Sequence, residues 1–271
     1  MLTYESLIDQ AKLRGMPAGK IRGVLREYLQ ILILKEIYRT KEGKKLYFTG
    51  GTCLRLVENL KRFSEDLDFD TNSLSEKDFV NLMEKVKTEL ERIGLCPSLK
   101  NSSWDRVYSF KFLFPDIEKK YSVSSRYSKK QGIIIKIEAN KSKYKIKGEP
   151  KMISGFGEFY PVICTNKGVV FANKIDALIQ KERARHIYDF MFMLSNKYPV
   201  DKKLLSKFGI KGNVFEYVLK KINSYSKLEL KKMAESFRPF LFDESEADKV
   251  ANAHQIILLL MQKYKDSKPL K

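Results

Sequence analysis

Apolar residues recur at helical spacing over Leu2–Leu13 and Ile21–Arg39, as in Val24, Leu25, Tyr28, Leu29, Leu32 and Ile33. Gly15, Pro17 and Gly19 interrupt the pattern, so two N-terminal helices are predicted rather than one. A short strand is predicted at Lys45–Phe48, a turn at Gly50–Gly51, and a helix at Thr52–Asn59 with the Thr52 hydroxyl as its cap. Phe63–Phe69 alternates apolar and acidic residues, the period of a strand. Ser75, with Asp78 three residues on, resembles a capping box and opens a helix running to about Ile93. Further strands are predicted at Val107–Phe114, Gly132–Ala139 and Phe159–Cys164, the middle one carrying the β-branched run Ile133, Ile134 and Ile135. From Val169 to Leu194 the pattern is helical, and beyond Asp201 only helices are expected. Ser122–Lys130 and Lys141–Lys151 read as polar loops. The layout is α+β, with a mixed sheet within residues 1–165 and a helical C-terminal region over residues 166–271.

A chain of 271 residues has room for one large domain or two modest ones. Its longest apolar runs, Ile31–Leu34 and Ile256–Met261, fall far short of the roughly 18 residues that cross a bilayer. No basic region followed by an apolar core opens the chain, so a cytoplasmic protein with no membrane partner is expected. Cys53, Cys96 and Cys164 are widely spaced and never in a CxxC pair, which speaks against a disulfide framework or a structural zinc site; they read as core thiols.

Charge changes the picture. The 52 Lys and Arg against 33 Asp and Glu give a net +19, which favours a polyanionic partner. The excess is concentrated: Lys12–Lys45 holds ten basic residues and three acids, and Lys119–Lys151 eleven and two. Two such runs around one central stretch would form an electrostatic funnel for nucleic acid.

That central stretch carries the candidate chemistry. In Tyr47-Phe48-Thr49-Gly50-Gly51-Thr52-Cys53-Leu54-Arg55 a strand runs into a double glycine and a helix start, which lets a phosphate approach bare backbone N–H groups at the helix N-terminus. A tight turn with no ligand would read the same way. The segment Phe63-Ser64-Glu65-Asp66-Leu67-Asp68-Phe69 decides in favour of chemistry, because residues i and i+2 of a strand share a face. Asp66 and Asp68 therefore project together while Leu67 and Phe69 enter the core. Paired carboxylates repel unless a cation sits between them, and such oxygen-rich sites suit Mg²⁺ bridged to substrate phosphates. Glu138, after Ile133–Ile137, is a candidate third carboxylate from a neighbouring strand. Asp189 lies among apolar Ile187, Tyr188, Phe190 and Met191, where an unpaired charge is costly, so a cationic partner is expected. With only His186 and His254 present, a histidine nucleophile or metal site is poorly supported.

A glycine pair with Ser or Thr, a helix, a strand with D-x-D and a later strand acid resembles the DNA polymerase β-like nucleotidyltransferase superfamily. The fuller wording, F-T-G-G-T-C-L-R-L followed by R-F-S-E-D-L-D-F, resembles more narrowly the AbiEii/MenT toxins of abortive-infection and toxin–antitoxin systems. The likeness continues at Asn173-Lys174-Ile175-Asp176-Ala177-Leu178 and Arg185-His186-Ile187-Tyr188-Asp189-Phe190. It implies a polymerase β-like core, transfer of a nucleoside monophosphate from an NTP, and two Mg²⁺ (or Mn²⁺) ions on Asp66, Asp68 and Glu138. It also implies that Lys174 contacts the triphosphate and that Asp189 completes the site, with Gly50, Gly51, Thr52, Arg55 and Arg185 as further nucleotide contacts. The implied acceptor is the 3′ end of tRNA, and the implied partner an antitoxin encoded nearby. Lys181 and His186 depart from the family pattern, standing where an arginine and an acid are common. Choice of tRNA is expected in the aromatic strand around Trp104, Tyr108 and Phe110. A nucleotidyltransferase acting on a protein or small molecule would share the site without needing the +19 charge, and a non-catalytic RNA-binding module would need the basic runs without the acid pair.

Overall fold

The computed structural model describes residues 1–123 and 132–266. The chain divides into two units, Met1–Thr165 and Asn166–Lys271. In the first, the helical spacing forms α1 (Tyr4–Leu13) and α2 (Ile21–Tyr38). Next come β1 (Leu46–Thr49), α3 (Gly50–Glu58), β2 (Leu67–Thr71) and α4 (Glu76–Arg92). Ser75 caps α4 by accepting from the Asp78 N–H, as its sequence signature predicts. The unit continues through β3 (Ser98–Asn101), β4 (Val107–Phe114), the short α5 (Ile117–Lys120), β5 (Ile133–Lys141), β6 (Gly148–Gly155) and β7 (Glu158–Thr165).

The seven strands form one sheet in the order β3-β4-β5-β2-β1-β7-β6. It is mixed: β2 with β5 and β1 with β7 are parallel, and the other pairs are antiparallel. Alternation along the strands gives the sheet two unlike faces. On one, Phe48, Leu67, Phe69, Ile135, Ile137, Phe110 and Phe112 are buried. Helices α2 and α4 cover that face, with Phe79 ring centroids 5.8 Å from Tyr108 and 6.0 Å from Phe110, and Tyr38 6.4 Å from Phe69. The other face carries Thr49, Asp68, Glu138 and Ser109 side by side in register.

Several boundaries differ from expectation. The strand predicted at Phe63–Phe69 begins only at Leu67, after the backbone turn in which the Arg62 N–H donates to the Leu60 carbonyl. Helix α3 starts at Gly50 with Thr49 as its cap residue, so Thr52 is not the cap. Lys141–Lys151 is only partly a loop, since β6 begins at Gly148. Most of the predicted loop Ser122–Lys130 lies outside the described residues. Cys53 and Cys164 are buried thiols, but Cys96 is exposed, so it is not a core thiol.

The second unit is helical: α6 (Lys167–Gln180), α7 (Ala184–Ser195), α8 (Lys202–Lys207), α9 (Val214–Asn223), α10 (Lys227–Phe237), α11 (Asp248–Ala251) and α12 (Ala253–Asp266). Asn166 caps α6 by accepting from the Val169 N–H. Phe171 anchors this unit's core, with ring centroids 5.6 Å from Phe190, 6.3 Å from Tyr198 and 6.4 Å from Tyr264. No helix among the described residues is long and apolar enough to cross a membrane.

Candidate active site

The turn from β1 into α3 brings the glycine pair onto the acids. Gly50 has φ +77°, a left-handed conformation suited to glycine, and a Cβ there would collide with the carboxylate of Asp68. At Gly51 a Cβ would run into Arg62 Nη2 and Ser64 Oγ. The Asp68 carboxylate thus lies against the start of α3, where the helix dipole and backbone N–H groups favour negative charge. The Thr52 side chain is fully buried and its hydroxyl donates to the Asp66 carbonyl. Its visible part is to tie α3 to the chain entering β2, which fixes Asp66 by its backbone.

The register of the sheet sets the acids next to one another. Asp68 pairs with Thr49 on one side and Glu138 on the other, and Glu138 pairs in turn with Ser109. Glu138 has a counter-ion: Lys136 Nζ lies 2.7 Å from Oε1 in an ion pair. That oxygen is buried and makes no well-directed hydrogen bond among the described residues, so the contact is mainly electrostatic. Lys136 also lies 5.0 Å from the centroid of the Trp104 ring. The sequence reading missed Asp70, the next acid of the alternation. It is 6% exposed and accepts from Thr165 Oγ1 at 3.1 Å. Burial pushes its carboxyl up to about 6, with Asp68 adding to the rise and the Thr165 hydrogen bond opposing it. The signal for Asp70 was present in D-x-D-x-D, and that for the Lys136–Glu138 pair in their i, i+2 spacing on one strand.

Among the described residues, no group of three or more His, Cys, Asp or Glu side chains is arranged to hold a metal ion. The donor chemistry is nonetheless that of a hard divalent cation, since Asp66, Asp68 and Glu138 offer carboxylate oxygens only. Glu138 would have to exchange Lys136 for such an ion.

Arg55 requires a correction. It is 1% exposed and grips the carboxylate of Glu27 with Nε at 2.9 Å and Nη2 at 3.1 Å, and Asn59 Oδ1 accepts from its Nη1 at 3.1 Å. A guanidinium held in this way braces α3 against α2 and is not presented to a phosphate. Tyr108 and Phe110 are likewise core residues at 7% and 4% exposure, so of the three aromatics expected to select an acceptor only Trp104, at 50%, faces solvent. Half of the first basic run is paired with acids of the fold: Arg14 with Glu27, Arg22 with Glu118, Arg26 with Glu65, Lys35 with Glu158 and, at the surface, Arg39 with Glu36. By contrast Lys141, Lys143, Lys145 and Lys147 are all exposed along the connection from β5 to β6. Asn72 pins that connection through the backbone of Ile146. Arg126, Lys129 and Lys130 of the second run lie outside the described residues.

In the second unit, Lys174 on α6 and Asp189 on α7 form a 2.7 Å ion pair. Asp189 is fully buried, so the cationic partner expected from its apolar surroundings is Lys174 itself. His186, one turn before Asp189, is 6% exposed, and among the described residues neither ring nitrogen has a hydrogen-bond partner. Burial and then the Lys174 charge push its imidazole down to about 3, so it is neutral at physiological pH. Arg185 is half-buried at the start of α7.

A family model described as "Nucleotidyl transferase AbiEii toxin, Type IV TA system" matches residues 32–255. No curated protein matches the chain. Among solved structures, MenT4, a nucleotidyltransferase toxin from Mycobacterium tuberculosis H37Rv, is similar at 17% identity with a TM-score of 0.57, covering 97% of this chain and 93% of that one. JHP933 from Helicobacter pylori is similar at 16% identity and a TM-score of 0.53, covering 90% and 94%. At these identities the likeness is one of fold.

Proposed function

The chain belongs to the AbiEii nucleotidyltransferase toxin family, and from that premise we propose that it transfers a nucleoside monophosphate from an NTP to the 3′ acceptor end of tRNA. Pyrophosphate would be released, and the altered tRNA would no longer support translation and growth. The observation that carries this reading is the meeting of the glycine turn with the acids: Gly50 lies against Asp68, and Asp68 stands in register with Glu138. Asp66 and Asp68 are the proposed ligands of Mg²⁺ or Mn²⁺, with Glu138 as the third. When bound, such an ion supplies charge stabilisation to phosphate oxygens and lowers the pKa of an oxygen nucleophile. The backbone of Gly50 and Gly51 receives the triphosphate, and Asp68 is held in place by the same turn. Lys174, paired with Asp189 inside the second unit, is that unit's proposed phosphate-binding lysine. The exposed lysines of the β5–β6 connection support a polyanionic acceptor, because phosphate contacts position a nucleic acid without reading its sequence. The type IV toxin–antitoxin description of the family supports a cognate antitoxin as partner.

Asp66→Asn and Asp68→Asn should each lower transfer from labelled NTP to RNA by on the order of a thousandfold, the effect of several kcal/mol of lost transition-state stabilisation. Circular dichroism should stay unchanged. Near-normal turnover of either variant in Mg²⁺ would overturn the assignment.

A further inference from the structure

The chain has one tryptophan, and it lies beside Lys136, whose ammonium pairs with Glu138 of the acidic row. Trp104 closes the β3–β4 hairpin: its N–H donates to the Val107 carbonyl at 2.9 Å, and the Val107 N–H returns a bond at 2.8 Å. The hairpin is braced just behind it, where Ser102 Oγ and Ser109 Oγ are 2.9 Å apart and the Ser109 N–H donates to Ser103 Oγ at 3.0 Å. Ser109 is the register partner of Glu138, so the brace connects directly to the acidic row. Lys136 closes the connection from the other side, 5.0 Å from the Trp104 ring centroid and 2.7 Å from Glu138. The indole is therefore held in position while half its surface remains exposed. Burying a side chain of this size normally stabilises a fold by a few kcal/mol, a gain of which about half is forgone here.

We propose that Trp104, with Lys136 beside it, is a stacking platform for a nucleobase at the active site, a reading that rests on the proposed nucleotidyl transfer. An exposed aromatic ring with an adjacent cation is the combination that binds single-stranded nucleic acid, since every base offers a π-face and every backbone a negative charge. The spacing fits. Lys136 lies two residues from Glu138, and Asp68 is one strand further on, a Cα separation of roughly 8 Å by ordinary strand rise and strand spacing. A single nucleotide spans such a gap, with its phosphate towards the acids and its base on the indole. The base belongs either to the incoming NTP or to the end of the acceptor strand.

The single tryptophan makes the test specific. Emission of the full-length protein is titrated separately with each NTP, with a short single-stranded RNA, and with an abasic oligonucleotide of equal charge. Saturable quenching by the NTP or by the RNA, and its absence with the abasic strand, is expected, and the quenching species identifies which base stacks. Equal quenching by the abasic strand would overturn the proposal. Filter binding then compares Trp104→Ala with Trp104→Phe: the first should weaken binding of the quenching species about tenfold and the second should restore most of it. Binding by Trp104→Ala within twofold of wild type would also overturn it. Because binding is read without turnover, quenching that persists in Asp68→Asn separates this inference from the catalytic one. A wild-type protein that quenches but transfers nothing would sink the proposed reaction and leave the platform standing.

Discussion

Removing the Arg55 guanidinium would leave the Glu27 carboxylate, itself 2% exposed, with Arg14 as its remaining ion-pair partner. Stranding a buried charge outright costs about 3–5 kcal/mol, and losing one of the two guanidiniums that hold Glu27 costs a part of that. Arg55→Ala should therefore lower the urea midpoint while the KM for NTP of the folded fraction is unchanged; a raised KM at full stability would return Arg55 to the nucleotide. His186 supplies a pH dependence. The unfolded chain takes up this proton near 6.5, whereas the folded chain resists it down to about 3. Stability from this residue is complete above 6.5 and is lost progressively as pH falls towards 3. His186→Phe should flatten the decline in unfolding free energy between pH 7 and 5, and an unchanged slope would show that the imidazole is not held neutral. The placing of Asp68 on the strand face opposite Leu67 and Phe69 was legible because alternation is a property of the chain itself, whereas Asp66 precedes the strand. The role of Arg55 was not, since it depends on Glu27, which helix α2 delivers from 28 residues away in the chain.

Whole elements were legible in proportion to the strength of their period. The strand predicted at Val107–Phe114 has those bounds in the structure, its inward residues Tyr108, Phe110, Phe112 and Phe114 all being large and apolar. The first half of β6, residues 148–151, falls in the predicted polar loop Lys141–Lys151, and Gly148 and Pro150 are poor strand formers. An edge position tolerates them, and β7 supplies the pairing that the sequence of β6 does not advertise. β3 is short and mostly exposed, so it has almost no periodic signal to read. Helix α4 shows the opposite case, a start written locally in Ser75. Replacing Ser75 by Ala should cost about 1 kcal/mol, measured as a lowered thermal midpoint, because the Asp78 N–H loses its acceptor. A midpoint equal to wild type would mean that packing alone sets this terminus.

At the scale of the molecule, the net charge of +19 is less freely available than its size implies. Acids neutralise much of the first basic run, and the exposed lysines of the β5–β6 connection are the clearest surplus. If they contact phosphates, RNA affinity should fall with salt at a log–log slope of about −0.7 to −0.9 for each phosphate neutralised. Neutralising Lys141, Lys143, Lys145 and Lys147 together should flatten that slope and weaken all RNAs alike. Identical slopes would remove the connection from the interface. The buried thiols Cys53 on α3 and Cys164 on β7 have a different use. Cys53 hydrogen-bonds to Cys164, and that bond together with burial raises its thiol pKa well above the ordinary value, so in the folded state it is slow to react. Exposed Cys96 reacts at once and serves as an internal reference. A thiol-labelling time course of the unmodified protein thus has one fast phase and a slow remainder, and the slow remainder is a clock for how often the frame around the glycine turn comes open.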